Sequence, residues 1–291
     1  MADPLISRRA RHLLLLALIG CIVLIAVYLL SVRTPLGQTL GDEVYLDRVA
    51  QGRSLKWIDK HVLKAIDIRI LALLLVAVVA VGAIRRQWFA AFVVAGAYVG
   101  AMVSAEVLKV VLPRPVLAPG LETLMADKDA LNTFPSGHST LATSLALGLV
   151  ILVPARARPA TAIAGAAFAA FVASGVLAAG WHRPSDAAGG IALGLIWLGA
   201  AGALVVRQRG VVAPPSTSMR IVPIAGVLII VIAAVILVVS IVTGKDARVP
   251  DGVSPLAFPM AELAIDIWAV AAISLAAMSL RDIELRPRIP S

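Results

Sequence analysis

The chain has 291 residues, 60% of them hydrophobic and only 15% charged, with a mean hydropathy of +0.95. Soluble domains are about half apolar and about a quarter charged, so an ordinary cytosolic, secreted or disordered protein is excluded. The net charge of +9 comes without basic runs interleaved with aromatics, which excludes nucleic acid as a partner, and a lone Cys21 permits no internal disulfide or cysteine metal cluster.

About 20 helical residues cross a bilayer core. Apolar windows of that order recur at 13–32, 70–84, 88–108, 136–154, 160–180, 187–206, 221–243 and 257–280. They predict an all-α, polytopic transmembrane bundle of eight spans, a single integral membrane domain over 1–291. The first window follows Arg8, Arg9 and Arg11; it is too long for a signal peptide, lacks a small-residue cleavage site, and reads as a retained span. An even number of spans places both termini on one side. The short breaks carrying Arg85-Arg86, Arg156 with Arg158, and Arg207 with Arg209 put that side inside. The long break, 34–69, is then an outer segment. Within it Leu55, Ile58, Val62, Ile66 and Ile70 recur at helical spacing beside Trp57. This predicts an amphipathic helix along the interface, packed on the bundle or acting as a substrate gate.

Three polar clusters stand at span ends, all on the predicted outer side. Lys109-Val-Val-Leu-Pro-Arg114-Pro115 closes the third span, Phe134-Pro135-Ser136-Gly137-His138-Ser139 opens the fourth, and Trp181-His182-Arg183-Pro184-Ser185-Asp186 joins the fifth and sixth. Lys109 and Arg114 supply positive charge. Ser136 and Gly137 at a helix start offer unpaired N–H groups that can cradle an anion. His182 and Asp186 lie four apart, so on a helix they share a face, and the carboxylate can fix the imidazole tautomer. His138 can supply a proton to a leaving alkoxide. Such a set suits phosphoryl transfer from an ester. Taken singly, each motif also has a structural reading: a helix cap, a satisfied His–Asp pair, or interfacial anchors.

At these motifs the sequence resembles the type 2 phosphatidic acid phosphatases, membrane relatives of vanadium haloperoxidases, over roughly 88–206. The resemblance implies a six-span core with its site at the outer face. It implies His182 as the nucleophile forming a phosphohistidine, Asp186 as its orienting partner and His138 as the proton donor. Lys109, Arg114, Ser136 and Gly137 would hold the phosphate, and no metal or organic cofactor is required. Two departures stand out. Four residues separate Lys109 from Arg114-Pro115 where the family has six, and Gly175-Val176 occupy the family's Ser-Arg positions. Arg183, next to the histidine, is the nearest replacement for the missing arginine; its other reading is an interface anchor.

Outside the motif-bearing part, Glu106 stands one turn before Lys109 and is expected to neutralise it. Glu262 and Asp266 share a face within the two additional C-terminal spans, 221–280. They are read as structural partners of a basic residue, with a polar path as the alternative. The sequence thus predicts a phosphoric ester or diphosphate hydrolase of a bacterial cytoplasmic membrane. Its partners would be membrane lipids and a lipid phosphate substrate, of polyprenyl or glycerolipid type. A phosphotransferase with an alcohol acceptor, and a non-catalytic lipid-phosphate binder or transporter, are the alternatives.

Overall fold

A computed structural model of the chain describes residues 3–51, 68–117, 132–214, 217–243 and 254–286. Helix α1 (Pro4–Val27) continues through a π turn at Tyr28–Val32, and α2 (Pro35–Gln51) follows at once. Next come α3 (Ile68–Ile84), α4 (Trp88–Val111), α5 (Gly137–Leu152), α6 (Arg158–Ala178) and α7 (Pro184–Arg209). Strand β1 (Gly210–Val212), a 3-10 turn (Thr217–Arg220), α8 (Ile221–Thr243), α9 (Ala257–Ser279) and β2 (Ile283–Leu285) complete the order.

Each of the eight apolar windows contains a helix. Six, counting α1 with its π turn, are long and apolar enough to cross a membrane, and shorter apolar stretches lie at Leu75–Ile84 and in α5. Helix α5 is short but central. It is buried along nearly its whole length between α4, α6 and α7, so it meets protein rather than lipid. Helix α7 forms the axis, with α1 along one side and α5 along another. Helix α9 closes the bundle against α6, α7 and α2, while α8 packs on α9 and α6 with much of its apolar surface outward.

One boundary differs from expectation. Helix α1 begins at Pro4, nine residues before the predicted span, because Asp3 Oδ1 accepts from the Leu5 N–H (2.7 Å) and proline occupies the first turn. The amphipathic pattern from Leu55 to Ile66 lies outside the described residues. The described part of segment 34–69 forms a helix of its own, α2. Its start is marked by Thr34, whose Oγ1 accepts from Gly37 N (3.0 Å), with Pro35 directly after it.

The end of the bundle bearing the N-terminus is tied by ion pairs. Arg9 meets Asp282 (2.5 Å) and Arg85 meets Glu284 (2.8 Å), while β1 and β2 form an antiparallel ladder from Gly210↔Leu285 to Val212↔Ile283. The three sequence clusters gather at the opposite end.

Candidate functional site

Helix α4 stops at Val111, and the chain turns outward through Leu112 to Pro115. Its last carbonyls need partners. The Asn132 amide donates to the carbonyls of Lys109 and of Leu112, the latter at 2.6 Å. Tyr28 donates its hydroxyl to Pro113 O (3.0 Å), and Gln38 Nε2 donates to Pro115 O (2.6 Å) while its Oε1 accepts from Leu117 N (2.9 Å). This clamp fixes Arg114, whose side chain is only 5% exposed. Arg114 Nη2 donates to Asp186 Oδ1 (2.8 Å) and Ser185 Oγ (3.2 Å), whereas its Nε and Nη1 have no partner. Burial lowers the pKa of Arg114 below the ordinary guanidinium value, and the charge of Asp186 opposes that shift. Lys109 pairs with Glu106 (2.7 Å), as expected from their spacing. Its Nζ also approaches Gly137, lying 3.8 Å from where a Cβ there would sit.

Ser136 caps α5. Its Oγ accepts from the N–H of Ser139 (3.3 Å), and its own N–H donates to Asp186 O (2.8 Å), bracing the start of α5 against α7. That approach requires glycine at 190, where a Cβ would lie 2.5 Å from Ser136 O. The N-termini of two helices therefore converge, each with a positive dipole end. Ser136 and Gly137 are buried at this junction, and His138 is half-buried beside it.

His182 and Asp186 do not share a helical face, contrary to the expectation from their spacing. Pro184 opens α7, so His182 lies in the bend before it and Asp186 is the third helical residue. The pair meets across the helix start, with His182 Nδ1 3.6 Å from Asp186 Oδ2. That is too long for a hydrogen bond, and Nδ1 has no partner. The carboxylate is already engaged by Arg114, by the Thr133 hydroxyl and by the Arg183 N–H (3.0 Å). The ring centroid of His138 is 6.5 Å from that of His182 and 5.5 Å from that of Trp181. Arg183 reaches towards α2, placing Nη2 3.3 Å from Asp42 Oδ1. Arg183, His182, Trp181, Thr133, Asp42 and Tyr45 line one open cleft. Burial raises the pKa of Asp42 above the ordinary carboxylate value, and Arg183 opposes the shift.

The structure thus brings Lys109, Arg114, Ser136, Gly137, His138, His182, Arg183 and Asp186 to one end of the bundle. Sequence reasoning missed Thr133, Asn132, Asp42 and Arg48. Thr133 and Asn132 adjoin the second cluster, and polar residues just before a helix cap were the signal. Asp42 and Arg48 are on α2, whose Thr-Pro start would have revealed it. Arg48 Nη1 donates to Ala178 O (3.2 Å), and its guanidinium covers Gly180, which has φ +74°. Val176 is 1% exposed, and its carbonyl accepts from the N–H groups of Trp181 (3.0 Å) and His182 (3.3 Å). Asp266 accepts from Ser174 Oγ (2.6 Å), not from a cation, because the facing part of α6 offers a hydroxyl among small apolar residues.

Residues 86–210 match the family model of the PAP2 superfamily, consistent with the type 2 phosphatidic acid phosphatases. Members of that superfamily are phosphatases, which supports phosphoric ester hydrolysis in general. No curated protein and no solved structure matches the chain.

Proposed function

We propose that this chain, with its PAP2-superfamily segment at the centre of a helical membrane bundle, hydrolyses a lipid phosphate or diphosphate at the outer membrane face through a phosphohistidine. The observation that carries this reading is the pair of unpartnered donors on Arg114, buried where two helix N-termini converge beside His182. A buried cation with idle donors is costly unless an anion completes it. Phosphate oxygens fit that requirement, with Lys109, Arg183, Ser136 and the Gly137 amide as further ligands.

In the proposed cycle His182 carries its hydrogen on Nδ1, towards Asp186, and its lone pair on Nε2. Nε2 attacks phosphorus, the bond to the leaving oxygen breaks, and His138 in its protonated form donates the proton to that oxygen. Water then attacks the phosphohistidine, giving its proton to the now neutral His138, and phosphate leaves with His182 restored. The residues involved do this without a metal. A lipid is the natural substrate class because the site opens at the end of apolar helices, with exposed Leu36, Leu40, Val110 and Val116 around it.

The test is release of free phosphate from phosphatidic acid, phosphatidylglycerol phosphate and polyprenyl diphosphate by purified protein in the presence of a chelator. Release from one of these, lost in His182→Ala, supports the proposal. Failure with all of them overturns it. A lipid-phosphate binder is the second reading, favoured by the 3.6 Å separation of His182 from Asp186; saturable binding of these lipids without turnover would establish it.

A further inference from the structure

The end of the bundle opposite the site holds a second arrangement of charge. Two arginines with opposite fates follow the end of helix α3. Arg85 is spent internally, on Glu284, the carbonyl of Leu152 and Gln87 Oε1. Arg86 turns outward with φ +54°. The Arg86 N–H donates to Ala83 O (2.9 Å) and the Gln87 N–H to Gly82 O (2.8 Å), a helix-ending turn whose left-handed position ordinarily favours glycine. An arginine there costs about 1 kcal/mol of backbone strain.

Arg86 is joined by two further arginines. Gln87 Nε2 donates to Leu285 O (3.1 Å), seating β2 against the start of α4. The Arg286 N–H donates to Arg209 O (2.9 Å), extending the β1–β2 ladder by one bond. The guanidinium of Arg209 lies over the Phe89 ring, 5.3 Å from its centroid. Arg86, Arg209 and Arg286 line one open cleft with Trp88, Phe89 and Leu285, and among the described residues no carboxylate lines it. Three arginines from distant parts of the chain thus line one cleft to which no described residue adds a carboxylate, so an anion entering it meets only positive side chains. The pocket continues onto an apolar strip: Ile84, Trp88 and Phe92 are exposed, and the Trp88 and Phe92 rings stack with centroids 6.3 Å apart.

We propose that this pocket holds the headgroup of an anionic phospholipid, its phosphate bridging Arg86, Arg209 and Arg286 and an acyl chain lying along Trp88 and Phe92. Charge selects the headgroup, and the aromatic strip selects a lipid over a free anion. The lipid would join the PAP2-matching segment, through Arg86 and Arg209, to the C-terminal strand through Arg286. The inference is independent of the proposed hydrolysis.

The experiment compares thermal unfolding of delipidated protein in uncharged detergent with added phosphatidylglycerol, phosphatidylcholine or inorganic phosphate. Phosphatidylglycerol is a phosphodiester and so lacks the terminal phosphate of the proposed substrates. Expected is a rise of several degrees with phosphatidylglycerol alone. Arg86→Gly relieves the backbone while removing the cation, so it should be at least as stable without lipid yet lose most of the rise. Arg209→Gln with Arg286→Gln should lose it too, whereas His182→Ala should keep it. An equal rise with phosphatidylcholine, the same rise with inorganic phosphate, or a full rise in Arg86→Gly overturns the proposal. Loss of the rise in His182→Ala would also overturn it, by moving the lipid to the other end.

Discussion

His182 Nδ1 stands 3.6 Å from Asp186 Oδ2, close enough for attraction and too far for a hydrogen bond. The carboxylate is held in place by the start of α7, by Arg114 and by Thr133, so the imidazole has to move to meet it. An anion drawing Arg114 towards itself would loosen one of those restraints. His182→Ala should abolish turnover, because no other side chain in the cluster is placed to carry the phosphoryl group. Asp186→Asn should cost up to about 10⁴-fold in turnover, as in dyads where tautomer control is lost. It should also lower the unfolding temperature, since the buried charge of Arg114 loses its counter-ion. Trapping of a phosphohistidine by acid quench checks the first claim; near-full activity in His182→Ala would refute the mechanism.

Arg183 is the residue on which the missing arginine turns. Its pairing with Asp42 holds it at the rim of the cleft that His182 also lines. Removing one charged donor from an anion site costs about 2.7–4 kcal/mol. Arg183→Ala should therefore lower turnover about a hundredfold or more. Asp42→Asn should leave the cation freer for phosphate and lower KM. If Arg183→Ala changes only the amount of protein in the membrane, Arg183 is an interface anchor.

The helices were legible because a bilayer demands long apolar runs, and each run announces itself. The three clusters were legible because polar residues at span ends are conspicuous against apolar sequence. What the sequence hid was geometry across elements. The His-x-x-x-Asp spacing suggested a shared helical face, yet Pro184 starts the helix between the two residues. Arg114 looked like a phosphate ligand, and its ion pair with Asp186, 72 residues away, has no local signature. The pairing of Asp266 with Ser174 was equally invisible, since hydroxyls in apolar helices are common. Helix α2 escaped notice because its low hydropathy resembles a loop.

Orientation has a direct test. Cys21 is the native thiol, so it is first replaced by alanine. Cysteine is then introduced at Val116, exposed at the site end, or at Arg156, exposed in the turn between α5 and α6. An impermeant thiol reagent applied to intact cells should label the first and spare the second. The reverse pattern would overturn both the inside placement of the termini and outer-face chemistry.

Arg158 yields the clearest stability prediction. It is 1% exposed, and its Nε donates to Val150 O (3.0 Å), Nη1 to Leu280 O (2.6 Å) and Ile283 O (2.8 Å), and Nη2 to Val153 O (3.4 Å). One guanidinium therefore satisfies carbonyls near the C-terminal ends of both α5 and α9. Arg158→Ala would orphan these buried acceptors and open a cavity, at a cost of about 3–5 kcal/mol. Arg158→Lys should recover little, because an ammonium cannot reproduce the planar fork. Glu284 completes the same junction, accepting from the N–H of Ala155 (2.7 Å) and pairing with Arg85. Burial alone would raise its pKa, but the Ala155 N–H and Arg85 outweigh it and bring the value below the ordinary 4.5. A carboxylate with a lowered folded-state pKa contributes stability above its ordinary value and loses it as pH falls through the lowered one. The unfolding temperature should drop in that acid range, and Glu284→Gln should flatten the drop while lowering the temperature at neutral pH. Thermal unfolding across pH checks both, and an Arg158→Ala protein as stable as the parent would show that this junction does not hold the C-terminal helices to the bundle.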